Sequence, residues 1–197
     1  MGNDKSNITI GRPKEGGALY WAPEGTAIPT DADSSLSSDF VNLGYVSEDG
    51  VTMSTAEEGD DINAWGPETV MRSQTSYGKT ATFNLLETSR IAVLQFLYGK
   101  DNVVVGDDGK VEWDETGDPL PRGVFVCDTL QNNGGETPKI KRQVFGDAQF
   151  TDRSGDHVYN NSDPVNYPIV MTAYKFDNNG KKMYSKNYLS ASVTPTP

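Results

Sequence analysis

Histidine and cysteine are almost absent from this sequence: His157 and Cys127 are the only ones in 197 residues. A single histidine in a polar loop excludes a multi-histidine metal site and leaves little room for imidazole-based acid–base chemistry. A single cysteine excludes a disulfide within the chain. Cys127 sits in the apolar run GVFVCDTL, in alternation with Phe125, and reads as a small buried hydrophobe rather than a nucleophile. Long apolar runs are missing too. Apolar residues make up 35% of the chain and no stretch approaches the roughly 18 needed to cross a bilayer. The opening MGNDKSNITIG has no hydrophobic core of a secretory signal. Cations are the minority charge, 17 Lys and Arg against 28 Asp and Glu, which gives a net charge of −11. Such a chain does not bind nucleic acid by counterion release, because it offers phosphate few partners.

Catalytic signatures are equally scarce. There is no G-x-S-x-G, no phosphate-binding P-loop and no G-x-G-x-x-G. Carboxylates are plentiful, but nothing selects a pair for glycosidase-type chemistry. Asp107-Asp108-Gly109 and Asp177-Asn178-Asn179-Gly180 lack the ligand spacing, closed by a glutamate, of a calcium loop, and read as hairpin turns. Trp21, Trp65 and Trp113 lie on three separate segments, as core or interface fillers do. The residues point to neither an enzyme nor a cofactor.

What is present is a β pattern. Twenty glycines and eleven prolines punctuate about ten alternating segments, with turn signals every 8–12 residues, the pattern of a sandwich or partial barrel. The expected strands include ALYWA at 18–22, VNLGYV at 41–46, VTMST after a Ser47–Gly50 turn, 69–77, 79–87, 102–105, 110–113, 122–130, 139–153 with a bulge at Gly146, and 167–177. One segment changes period. In TSYGKTATFNLLETSRIAVLQFLYG, at 75–99, Ala81, Phe83 and Leu85 alternate with Thr80, Thr82 and Asn84. Then Ile91, Leu94, Leu97 and Tyr98 fall on one helical face. A strand therefore feeds a helix of about three turns, started by Thr88 or Ser89 and stopped by Gly99. The expected organisation is an extended arm at 1–17, one mainly β domain at 18–190 with a single flanking helix, and a loose polar tail at 191–197. The loop at 22–40 is long for a compact domain, and the acidic EEGDD at 57–61 leads into INAWG as a long projecting hairpin.

Charge is segregated along the chain. Residues 48–118 carry most of the acid, and the cations gather after Arg122, an asymmetry that charge alone explains more simply as two solvated faces and that also suits head-to-tail self-association. Two stretches, LGYVSEDGVTMS…EEGDDINAWG at 43–66 and FNLLETSRIAVLQFLYGKDNV at 83–103, together with GALYWAPEGTAIPTD, resemble the major tail tube proteins of long, non-contractile-tailed bacteriophages. Leu43, Gly44, Ser47, Glu48, Asp49, Gly50, Trp65, Gly66, Glu87, Leu94, Tyr98 and Gly99 carry the likeness, which is close over 17–105 and looser beyond.

The resemblance implies a β-sandwich flanked by a helix, assembling as hexameric rings that stack into a tube. Its partners would be copies of itself, the tape-measure protein, and the tail terminator or distal tail proteins. DNA would pass in transit without specific binding; no membrane and no cofactor are involved. It would assemble in the host bacterial cytoplasm and reside in the virion tail. The candidate stacking and inter-subunit residues are Ile8, Ile10, Ser47, Glu48, Asp49, Gly50, Met53, Asp60, Asp61 and Trp65. The candidate lumen residues are Thr80, Thr82, Asn84, Asp147 and Gln149, in a conduit expected to be negative. The alternatives are another β-sandwich virion component, such as a terminator or head decoration, and a monomeric carbohydrate- or calcium-binding β-sandwich.

Overall fold

The computed structural model describes residues 2–3, 7–132 and 138–191. The expected tail beyond 191, most of the loop at 131–138 and the first residues of the arm lie outside them. The strands are β1 (Ile10–Pro13), β2 (Leu19–Pro23), β3 (Val41–Asn42), β4 (Val46–Asn63), β5 (Thr69–Leu85), β6 (Val103–Val105), β7 (Val111–Trp113), β8 (Gly123–Asn132), β9 (Lys139–Asp152), β10 (Tyr167–Ala173), β11 (Phe176–Asn178), β12 (Lys181–Met183) and β13 (Lys186–Leu189). Helix α1 spans Ile91–Tyr98. The chain is mainly β with one α-helix, as its alternation implies.

Nine strands form one sheet in the order β3-β2-β8-β9-β10-β5-β4, with β1 also on β8 and β13 also on β9. The sheet folds over itself. Phe83 of β5 stacks on Phe125 of β8 with ring centroids 5.6 Å apart, although β9 and β10 lie between those strands. Three strand spacings would separate them by about 14 Å in a flat sheet. The fold line is the expected bulge: two steps along β8, Gly123 to Phe125, match three along β9, Ala148 to Phe145, and Gly146 sits in the extra step. A Cβ at Gly146 would come 2.5 Å from the Phe176 ring, so the position accepts no side chain. β9 thus serves two leaves, pairing β10 with its C-terminal half and β13 with its N-terminal half.

The main core fills the fold with Leu19, Leu43, Phe83, Leu85, Phe125, Phe145, Ile169 and Met171. Helix α1 closes it with Val93, Leu94, Phe96 and Leu97, Phe96 meeting Trp21 edge-on at 5.4 Å. Of the expected helix face, Leu94 and Leu97 are buried and Tyr98 is half-buried, but Ile91 is 39% exposed. The helix has two turns rather than three. Its N-cap is Arg90, in extended conformation and without a side-chain cap, so Ile91 enters before the helix has turned onto the core. Gly99 ends it as expected, at φ 90°, with its N–H on the Gln95 carbonyl.

One expected feature differs in kind. Ser47–Gly50 does not reverse the chain. Five steps from Val46 to Val51 oppose two from Leu85 to Phe83, so the segment is a wide bulge inside β4, which continues to Asn63. The reversal comes at residues 64–68, where the Ala64 N–H bonds the Glu68 carbonyl. The 22–40 loop, read from the sequence only as long for a compact domain, packs on the body. Ile28, Leu36 and Phe40 lie against Ala22, Val124, Val126 and Val144, covering the second face of β2, β8 and β9. Under it is a fully buried ion pair. Arg142 donates from Nε and Nη2 to the two oxygens of Asp128 at 2.8 and 2.7 Å, and its Nη1 donates to the carbonyls of Asp31 and Ser34. Lys14 reaches the same carboxylate at 3.4 Å, which ties the arm to the body.

Candidate assembly surfaces

The strands β4 and β5 continue past the body as a two-stranded arm. β5 loses its second neighbour after Lys79, which pairs with Ala173, yet β4 and β5 stay paired from Thr55–Lys79 out to Asn63–Thr69. Nine residues of strand make the arm about 30 Å long. Almost every residue from 54 to 76 is exposed. Its base is held by Tyr77 against Tyr184, with centroids 4.7 Å apart. Its far end carries exposed Ile62, Val70 and Met71, and Trp65 at the turn is fully exposed. Glu57, Glu58, Asp60, Asp61 and Glu68 surround them, and Arg72 stands 4.0 Å from Asp61.

Below the arm the outer face of β9, β10, β5 and β4 is a ladder of small polar side chains. The registers place Gln149, Thr172, Thr80 and Ser54 in one rank and Val170, Thr82 and Thr52 in the next, with Asn84 opposite Pro168. The Thr151 and Thr172 hydroxyls are 2.6 Å apart. Gln149 accepts from the Tyr174 hydroxyl and donates to the Leu120 carbonyl. All but buried Pro168 are half-buried or exposed. All five residues expected to face a lumen, Thr80, Thr82, Asn84, Asp147 and Gln149, share this face. Asp147 is spoken for, because Arg122 donates to it at 2.9 Å and lies over the Tyr174 ring. Exposed Asp152 stands opposite Val170 at the β9 end of the second rank, so the two ranks hold one carboxylate and no cation, and most of the chain's acid lies elsewhere.

The remaining candidates are dispersed. Ile8 and Ile10 are exposed, 69% and 63%, beside β1, which lies on the far half of β8 from Ile10–Asn132 to Pro13–Thr129. Ser47, Glu48, Asp49 and Gly50 form the bulge of β4, and Gly50 has φ 70°. Met53 packs partly against the core beside Ala81, whereas Asp60, Asp61 and Trp65 belong to the arm. β4 ends the sheet, so its outer edge has unpaired backbone groups over the body as well as the arm.

Several residues of the family likeness converge. Leu43 is fully buried, Gly44 has φ 82°, and a Cβ there would lie 2.5 Å from the Glu87 carboxylate. Glu87 accepts from the Tyr45 N–H and from Arg90, joining the start of β4 to the start of the helix. Sequence reasoning missed the Asp128–Arg142 pair; its only signal was Asp128, the one charge in the apolar run of β8, since Arg142 stands among several charges of β9. Burial pushes the Cys127 thiol up to about 12 and raises the Tyr167 hydroxyl, which leaves neither reactive at neutral pH. Trp21, Trp65 and Trp113 occupy core, arm tip and the β6–β7 hairpin, so they form no common platform.

Among curated proteins the comparison finds no match. Residues 1–187, nearly the whole chain, match the family described as phage tail tube protein, and the chain belongs to that family, whose members are structural components of the virion rather than enzymes.

Proposed function

We propose that this tail tube protein is the repeating subunit of a long, non-contractile phage tail. Six copies form a ring, and rings stack into the conduit through which DNA leaves the capsid. The observation that carries the reading is the combination of one bare sheet edge with one bare polar face. The β4 edge invites a strand of a neighbouring subunit, and joining sheets around a ring removes exposed edges. The face of Thr52, Ser54, Thr80, Thr82, Gln149 and Thr172 then becomes the wall of the channel. Hydroxyls and amides without cations give passing phosphates no ion partner. The negative character expected of the conduit comes from the net charge of −11 rather than from this wall.

The arm supports the same reading. A free two-stranded ribbon is marginal in water, and this one holds its largest apolar side chains at the end farthest from its own core. A neighbouring subunit supplies the missing burial. The chain meets the tape-measure protein inside the tube and the terminator and distal proteins at its ends, and assembles in the host cytoplasm. Electron microscopy of the purified protein over a concentration series, with light scattering alongside, tests this. Hollow tubes or rings with six-fold end views are expected. Closed particles without a channel, or rings that never stack, favour a terminator-like component instead.

A further inference from the structure

The hairpin β6–β7 is a sheet of two short strands whose outer side nothing in the described chain covers. Val104 is 63% exposed and pairs across with exposed Glu112, while the other side rests on α1 through buried Val103 and through Trp113 stacked on Tyr98. Val105 and Trp113 add 46% and 45% exposed apolar surface at its rim. Around this strip, residues 100–118 contain seven acids (Asp101, Asp107, Asp108, Glu112, Asp114, Glu115, Asp118) and two lysines, a net charge of −5. Lys110 pairs with Asp108 and Arg153 with Glu115; the other five acids have no ion pair among the described residues.

The complement lies on the hairpin β11–β12 and the start of β13. Residues 175–186 carry Lys175, Lys181, Lys182 and Lys186 against Asp177, a net charge of +3. None of these lysines has an ion pair among the described residues, and Lys181 and Lys182 are exposed. The two patches lie at opposite ends of the body portion of β5, residues 77–85. The β11–β12 side packs at the arm end through Tyr184 on Tyr77, and β6–β7 packs on the helix that follows Leu85. One chain therefore cannot bring its own patches together, but two chains in the same orientation can. A contact between unlike patches at opposite ends is heterologous and propagates instead of closing on a pair.

We infer that the β6–β7 hairpin docks on the lysine-bearing β11–β13 end of a second copy of this chain, so that charge complementarity orients successive subunits head to tail. This deepens the tube reading and rests on it. Opposite potentials steer encounter and reject the reversed orientation, which would set acid against acid.

Charge exchange tests it. Wild type, K181E/K182E, D107K/E112K and the chain carrying all four substitutions are compared for tube formation by light scattering and electron microscopy at low and high salt. Circular dichroism checks each fold. Each pair alone should raise the assembly threshold about tenfold or more, the four together should bring it back toward wild type, and salt should weaken wild-type assembly. Wild-type tubes with folded variants that assemble normally, or with no recovery in the four-fold variant, overturn the docking while leaving the tube reading intact. A wild type that associates at no concentration overturns both.

Discussion

At the scale of single residues, the Asp128–Arg142 pair governs how the body holds together. Each charge is fully buried, so each depends on the other for solvation, and Arg142 also satisfies two carbonyls of the 22–40 loop. Arg142→Ala leaves a carboxylate in the core with only Lys14 near it. The expected loss is about 3–5 kcal/mol, a large part of the roughly 5–15 kcal/mol of an ordinary domain. Urea unfolding measures it. D128V/R142M should lose less than R142A, since it removes both charges and leaves neither orphaned. A second residue-scale expectation concerns pH. Burial raises Cys127 to about 12 from 9.0, and also raises Tyr20 and Tyr167. A group raised on folding gives stability that is complete below its unfolded value and lost as pH climbs through the folded one. These groups therefore leave the melting temperature unaffected below about pH 9 and lower it progressively above. Thermal melts from pH 7 to 11 read this directly.

At the scale of elements, the arm of β4 and β5 is separable from the fold. It contributes little to either core cluster. Replacing residues 57–76 by a two-residue turn should leave circular dichroism and melting nearly unchanged while abolishing assembly; loss of the fold would show that the arm supports the body. Much of this level was legible beforehand. Strict alternation in 81–85 and the unbroken apolar run within 122–130 marked core strands, and Gly146 marked the bulge. Asn179-Gly180 marked a turn, with both residues now at positive φ. The illegible parts have physical causes. Ser47–Gly50 has the chemistry of a reversal, and only the long-range pairing of β4 with β5 turns it into a bulge. Ile91 fits the helical period, yet period alone does not say where a two-turn helix begins to touch its core. The packing of the 22–40 loop could not be read because its anchor, Arg142, is 108 residues or more away in sequence from the carbonyls it holds.

At the scale of the whole molecule, the chain is a folded body with unfinished surfaces: a sheet edge, a polar sheet face, an acidic arm tipped with tryptophan, and oppositely charged ends. A protein working alone would cover its sheet edge and bury its tryptophan. A subunit leaves these tasks to its neighbours. The candidate stacking residues were dispersed by the fold, but the five lumen candidates came to one face, Asp147 paired there with Arg122, because alternation along β5 and β9 already separates the two sides of the sheet.

The tube reading places this polar face on the channel wall. A helical reconstruction of assembled tubes by electron cryomicroscopy, at a resolution that traces strands, tests it most directly. The prediction is a continuous inner barrel in which β4 of one subunit joins its neighbour and Thr80, Thr82, Gln149 and Thr172 face the lumen. A tube in which those residues are buried between subunits, or point outward, would contradict it.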